Sequence, residues 1–400
     1  MNKEGMGLTL AVLVAGLRGF GADEVQYSLQ VLPAERQQTT DPETGAELTF
    51  LTTNPARDTN LYFHERSWLP NGSLILFYSQ REDGGLMGYI TATGELVRIA
   101  TPSGGVGQAT ASINRSSVFV TRGQEVLELA LEIEPSTSPE ASRSKVTCTE
   151  RTICVHPYSS LSSYLNQSCD GKYLSAGCSG PASSDTNPGI VIINVSTGEY
   201  RELCRIPPSI GYGGHVQWSH TNPDLLSFAG RAGRLWVVDI RDGQPRNVYK
   251  QWPDELVTHE SWWVDDQLLF CGGVHPRPTE DSHVKLLNLA TGHVRIVGEG
   301  SWWPNASPSD IAKRNWWHAD GSDDGRWVVA DNWHGDIMLF EGKTGRPRLL
   351  TAGHRTYGSG DHPHVGWDRR GRQVVFASQK LGNSDVCVAT VPETWQKENP

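Results

Sequence analysis

The chain has 400 residues, enough to bury a sizeable core, and its 42 glycines with 20% charged residues suit many short strands joined by tight turns. A net charge of −10 argues against a nucleic-acid partner, which needs a basic stripe along the phosphates. It leaves an acidic sugar open, because local charge in a cleft matters more than the total.

In chain order, Lys3, the apolar run Leu8–Leu17 and the small pair Gly21-Ala22 read as a secretory signal peptide over residues 1–22, with Glu4 and Arg18 as departures. That predicts a secreted or periplasmic protein whose residues 23–400 form one catalytic domain. No other stretch is long enough to span a membrane. The segment Val25–Val31 precedes the first full repeat and is expected to supply an outer strand to the last one.

From Pro70 onward one pattern recurs: a turn, an apolar strand, a second strand ending in Thr-Gly-Glu, and a third. It runs through Pro70-Asn71-Gly72, Leu74–Phe77, Gly88–Ile90, Thr93-Gly94-Glu95 and Leu96–Ile99. A degenerate copy falls at Ser117–Val120 and Val126–Leu129. Later copies carry Ile190–Ile193, Leu235–Val238, Leu268–Phe270, Trp327–Val329 and Val374–Phe376. About seven units of roughly 35–50 residues, with four short strands each, predict an all-β, seven-bladed β-propeller in a single domain. A blade cannot bury both faces alone, so blades stack radially. A β-helix is the rival, but its rungs are shorter and lack this alternation of turns. Glu132–Lys145, rich in Ser, Pro and Glu, reads as an exposed loop. Of the seven cysteines, Cys148 with Cys154 and Cys169 with Cys178 are candidates for short disulfide loops, while Cys204, Cys271 and Cys387 read as buried thiols.

The chain has thirteen histidines, and five of them fall at corresponding points of the later units: His215, His259, His318, and the pair His362 and His364. Each lies just before an inner apolar strand, where propeller loops converge on the central channel. His362 and His364 are spaced to point the same way on an extended segment stiffened by Pro363. With His318 from the preceding unit they form a candidate three-histidine metal site, manganese foremost and calcium as the alternative. The competing reading is a polar channel lining. Trp262-Trp263, Trp302-Trp303 and Trp316-Trp317 each place one indole between blades and leave the other for a sugar face. His64 and His156 also fall in channel loops, with simple hydrogen bonding as their plainer role.

The segments Arg234-Leu235-Trp236, Thr258–Trp262, Trp317-His318 with Asp320-Gly321, His362–His364 and Arg372–Phe376 together resemble the oligogalacturonate lyase family, as does Asn60–Phe63. The similarity covers most of the chain after residue 60 and is strongest in the last four units. The resemblance implies a propeller polysaccharide lyase in which Arg234 binds the substrate carboxylate and His259 is the catalytic base. It also implies that His318, His362 and His364 are manganese ligands. The family's further glutamine ligand is replaced by Ser359, so Asp361 becomes a candidate oxygen ligand.

The chemistry is consistent with those residue types. The C5 proton of a uronate lies α to a carboxylate, an arginine or metal there stabilises the developing enediolate, and a neutral histidine can take the proton. Water, Tyr357 or His220 are the candidate proton donors to the leaving oxygen. His215, Arg231, Tyr357 and Trp262 are expected to contact substrate. The expected activity is β-elimination on an acidic oligo- or polysaccharide, giving a 4,5-unsaturated uronate. The alternative is a non-catalytic propeller that binds glycans or proteins; a hydrolase would want two carboxylates at a set separation.

Overall fold

The structure is a computed structural model that describes residues 24–138, 142–180, 187–274, 284–300, 315–354, 361–368 and 370–398. The expected signal peptide, Trp302-Trp303, Tyr357 and Ser359 lie outside the described residues. Among the described residues, no helix is long and apolar enough to cross a membrane.

Seven antiparallel sheets follow one another along the chain and form the blades of a single-domain β-propeller. The middle strands are apolar on both sides because each blade is sandwiched between two others. Leu74–Ser79 and Gly189–Asn194, for instance, are buried almost throughout. The innermost strands of the last five blades are Ser160–Gln167, Tyr212–Trp218, Glu255–Trp262, Trp316–Gly321 and Gly366–Trp367. Each touches the next around the central channel.

The ring closes differently from the expectation. Val25–Ser28 pairs with Lys145–Val155 on the outside of the second blade, and Val31–Leu32 pairs with Leu96–Arg98 on the first. The closing strand is Glu47–Phe50, which pairs with Asp385–Thr390 and is covered in turn by Gln37–Thr40. Burial explains the choice. Leu48 and Phe50 are each 1% exposed and pack with Trp327, Val374 and Phe376, whereas Val25 is 47% exposed.

All seven cysteines are free. Cys148 and Cys154 lie on one strand, Lys145–Val155, where six residues of extended chain hold them roughly 20 Å apart. The expected loop at 132–145 is shorter than predicted, because the flanking strands run to Glu134 and from Lys145. Its far end is tied down by Ser144, whose backbone N–H donates to buried Glu95 at 3.2 Å.

Candidate functional site

A single irregularity recurs on the innermost strands and builds the site. The ladder register shifts between Ser162 and Asn166, between Gly214 and Gln217, between Thr258 and Ser261, and between Trp316 and Ala319. The residues inside those gaps include Ser163, Tyr164, His215, His259, Glu260, Trp317 and His318. A bulge bends its strand and re-aims side chains. Here it occurs in four successive blades at the same end of the channel. Ser163, Tyr164, His215 and His259 have φ of 60°, 61°, 58° and 49°, and His364 beside the seventh blade has 49°. Side chains other than glycine rarely hold this left-handed conformation without a compensating gain.

The imidazoles accordingly meet. The His259 ring centre lies 4.2 Å from that of His318, 6.1 Å from His215 and 5.0 Å from the Trp317 ring. His318 in turn lies 4.4 Å from His364 and 5.5 Å from His362. Nδ1 of His259 is 2.8 Å from the Thr258 hydroxyl. Burial pushes His259 well below the ordinary imidazole range, and neighbouring His318, His215, Arg234 and His364 push the same way, so it is neutral at neutral pH.

Arg234 rises from the hairpin tip of the fourth blade and donates from Nε to Glu260 Oε2 at 2.7 Å. Glu260 is fully buried; burial alone would raise its carboxyl, but Arg234 and then His215 hold it below the usual range. Its other oxygen lies 3.7 Å from His215 Nδ1. Burial takes His215 down to about 4, against the pull of Glu260. Neither Glu260 nor Asp331 stands out in the sequence, yet both organise the site. Asp331 accepts from the His318 backbone N–H at 2.9 Å, faces His318 Nδ1 at 2.8 Å, and accepts from the His364 N–H at 3.1 Å. That orientation leaves Nε2 of His318 as its free lone pair.

Tyr62 and Tyr164 were also missed. Tyr62 lies among the histidines, its ring centre 4.8 Å from His364 and 5.4 Å from His215, and it stacks on Tyr164 at 5.5 Å with 11° between planes. From there the chain crosses the channel: His64 reaches His215 at 5.3 Å, and Arg66 pairs with Asp323 at the far side at 3.4 Å.

Several expected residues sit elsewhere. Trp262 is fully buried and donates to the Gln217 carbonyl at 3.1 Å, so it offers no face to substrate. Its neighbour Trp263 is buried as well, bonded to the Ser322 carbonyl at 2.9 Å. The indole at the histidine mouth is Trp317. His220 lies at the opposite end of the channel, lining a cavity of about 30 Å³ with His64, Glu65 and Asp320. His156 packs on Tyr158 at 5.8 Å in an outer loop. Arg231 is exposed on the same hairpin tip as Arg234, its Nε donating to the Tyr212 carbonyl at 3.0 Å.

The three expected metal ligands lie close together. Ring centres of His318, His362 and His364 are 4.4 to 5.8 Å apart, close to the spacing of about 5 Å expected for imidazoles sharing one ion. The donor type suits a first-row transition metal. Among the described residues, however, no three His, Cys, Asp or Glu side chains are set to hold a metal ion. Asp361 is not a free oxygen ligand, because Arg57 engages both of its carboxylate oxygens from Nε, at 2.7 and 2.8 Å.

Fold and site define a seven-bladed propeller with a histidine-lined channel mouth. No family model matches the sequence, and no curated protein does. Solved structures do match. An oligogalacturonate lyase in complex with manganese superimposes with a TM-score of 0.70 at 17% identity, covering 92% of this chain and 99% of that one. An oligogalacturonate lyase from Vibrio parahaemolyticus gives 0.71 at 16%, covering 92% and 100%. A chain of a mitotic checkpoint complex gives 0.51 at 12%, covering 98% and 99%. At these identities the likeness establishes the fold.

Proposed function

We propose that the protein is a lyase that cleaves a uronate-containing glycan by β-elimination. The observation that carries this reading is the convergence of a cation, a neutral imidazole and an imidazole cluster on one channel mouth. Arg234 is held by Glu260, His259 lies 4.2 Å in ring centre from His318, and His362 and His364 complete the group. A purely structural channel has no need for a desolvated base beside a fixed guanidinium.

In this reading Arg234 takes the carboxylate of the reacting sugar and stabilises the enediolate as the C5 proton leaves. With Nδ1–H donating to the Thr258 hydroxyl, Nε2 of His259 keeps the lone pair that accepts that proton. The electron pair moves into a C4–C5 double bond, the C4–O bond breaks, and the leaving oxygen takes a proton from water. His318, His362 and His364 would have to re-aim their ring nitrogens to hold a manganese ion, which would supply Lewis-acid stabilisation at the carboxylate. A secreted or periplasmic location, proposed from the apolar run Leu8–Leu17, is where such polymers are met.

The test is the ultraviolet absorbance of the unsaturated product, followed on a panel of galacturonate and glucuronate glycans with and without manganese. A rise that vanishes in His259→Ala establishes the lyase. Absence of a rise on every uronate overturns it in favour of a non-catalytic binding propeller. Metal binding is checked separately: manganese should raise the melting temperature of the wild type and leave that of His364→Ala unchanged.

A further inference from the structure

The seventh blade holds its histidines differently from the others. His215, His259 and His318 sit on inner strands of six to eight residues, each paired within its own blade. The inner strand of the seventh blade is only Gly366-Trp367, so His362 and His364 precede the ladder. The Ala377 N–H holds the Pro363 carbonyl between them at 2.9 Å. His364 nevertheless keeps a φ of 49°, a conformation that persists in a non-glycine residue only where its surroundings over-determine it.

Side chains from other blades supply that constraint. The His364 N–H donates to Asp331 of the sixth blade at 3.1 Å, and its carbonyl accepts from Asn60 Nδ2 of the first blade at 2.6 Å. Asn60 is 5% exposed, and its Nδ2 also donates to the Leu61 carbonyl at 2.9 Å. Both partners are carbonyls, so only a donor serves at this position. Arg57 grips the other end of the segment through Asp361, donating from Nε to both carboxylate oxygens.

Arg57 and Asn60 follow soon after the closing strand Glu47–Phe50, and each lies 304 residues from its partner. The stretch between is stitched to the last blade as well. Asn383 Nδ2 donates to the carbonyls of Asn54 and Ala56 at 2.9 Å, and the Asp58 N–H donates to the Ser384 carbonyl at 2.8 Å. The seam of the ring thus runs into the histidine cluster.

We propose that Arg57 and Asn60 are positioning residues for His362 and His364, and that the histidine cluster is assembled only when the first and last blades join. Without Asn60 the His364 carbonyl loses its donor, the backbone relaxes to an ordinary φ, and the imidazole swings away from His318. The clamp stands on these contacts alone; its effect on turnover rests on the lyase reading.

The imidazole NMR signals of the intact protein test the clamp, with Asn60→Leu, Arg57→Gln and Arg57→Lys beside the wild type. Leucine matches asparagine in shape and lacks the donor, while lysine keeps the charge that meets Asp361. The His364 and His318 signals should move in Asn60→Leu and Arg57→Gln and stay near wild type in Arg57→Lys. The signal of His354, bonded to Thr351 and Ser378, should stay in place throughout. On a uronate glycan, kcat in Asn60→Leu should fall about a hundredfold with KM little changed, as expected for a reacting group displaced by about 1 Å. Arg57 has 46% of its side chain exposed, so Arg57→Gln carries the test even where Asn60→Leu does not fold. Unmoved His364 and His318 signals in the loss variants overturn the clamp and leave the lyase reading intact. Signals that move while the wild type turns over no uronate keep the clamp and remove the lyase reading.

Discussion

Glu260 shows what a single residue contributes here. A fully buried carboxylate is tolerated because Arg234, itself 20% exposed, donates to it at 2.7 Å. Removing one partner leaves the other charge uncompensated, so Arg234→Ala should lose about 3–5 kcal/mol in urea denaturation. The double change Arg234→Met with Glu260→Leu should recover much of that stability and none of the activity, which separates the structural from the functional share of the pair. His354 gives a pH effect away from the site. It bridges Thr351 at 2.8 Å and Ser378 at 2.7 Å. Burial drives it down to about 3, with Lys380 adding and Asp41 opposing. The unfolded ring takes its proton near 6.5, so below that pH the unfolded chain binds more protons than the folded one. The stability from keeping His354 neutral is therefore full above about 6.5 and falls as pH drops towards about 3. In His354→Gln the decline of melting temperature across that window should be shallower than in the wild type; an equal slope would rule the group out.

At the scale of elements, the bulges do the positioning. The sequence marks the histidines but not the device that aims them, since apolar periodicity reports which face is buried and is blind to one extra residue in a ladder. Trp262 illustrates the limit: alternation sends the two indoles of the pair to opposite faces, but each face of the blade packs on a neighbour, so Trp262 is buried with Leu235 and Val237 and Trp263 with Trp316 and Val328. Gly214 has φ +90°, and a Cβ there would meet the Ser163 hydroxyl at 2.9 Å. Gly214→Val should therefore cost about 1–3 kcal/mol and lower turnover by displacing His215, read as a lower denaturation midpoint and a reduced rate on uronate glycans. Asp331 was equally hidden. It lies on the strand Trp327–Asn332, where the sequence reads as plain apolar core, yet it orients both His318 and His364.

For the whole molecule the decisive question is how the ring closes. Glu47–Phe50 joins the two ends of the propeller, whereas Val25–Ser28 and Val31–Leu32 only cover outer edges. Removing residues 24–32 should leave one cooperative thermal transition with a modest loss of stability, while removal through Phe50 should abolish it, as calorimetry would record. With all seven cysteines free, a reductant should leave the melting temperature unchanged. The sequence by itself determined the repeat, the blade number and the set of histidines, because strand periodicity and turn residues are local signals. Tertiary structure decided which strand closes the ring, which tryptophan reaches the mouth, and which carboxylates hold Arg234, His318 and His364. Those outcomes depend on pairings between residues far apart in the chain, where burial of Leu48 and Phe50 outweighs that of Val25 and where a one-residue bulge redirects a side chain.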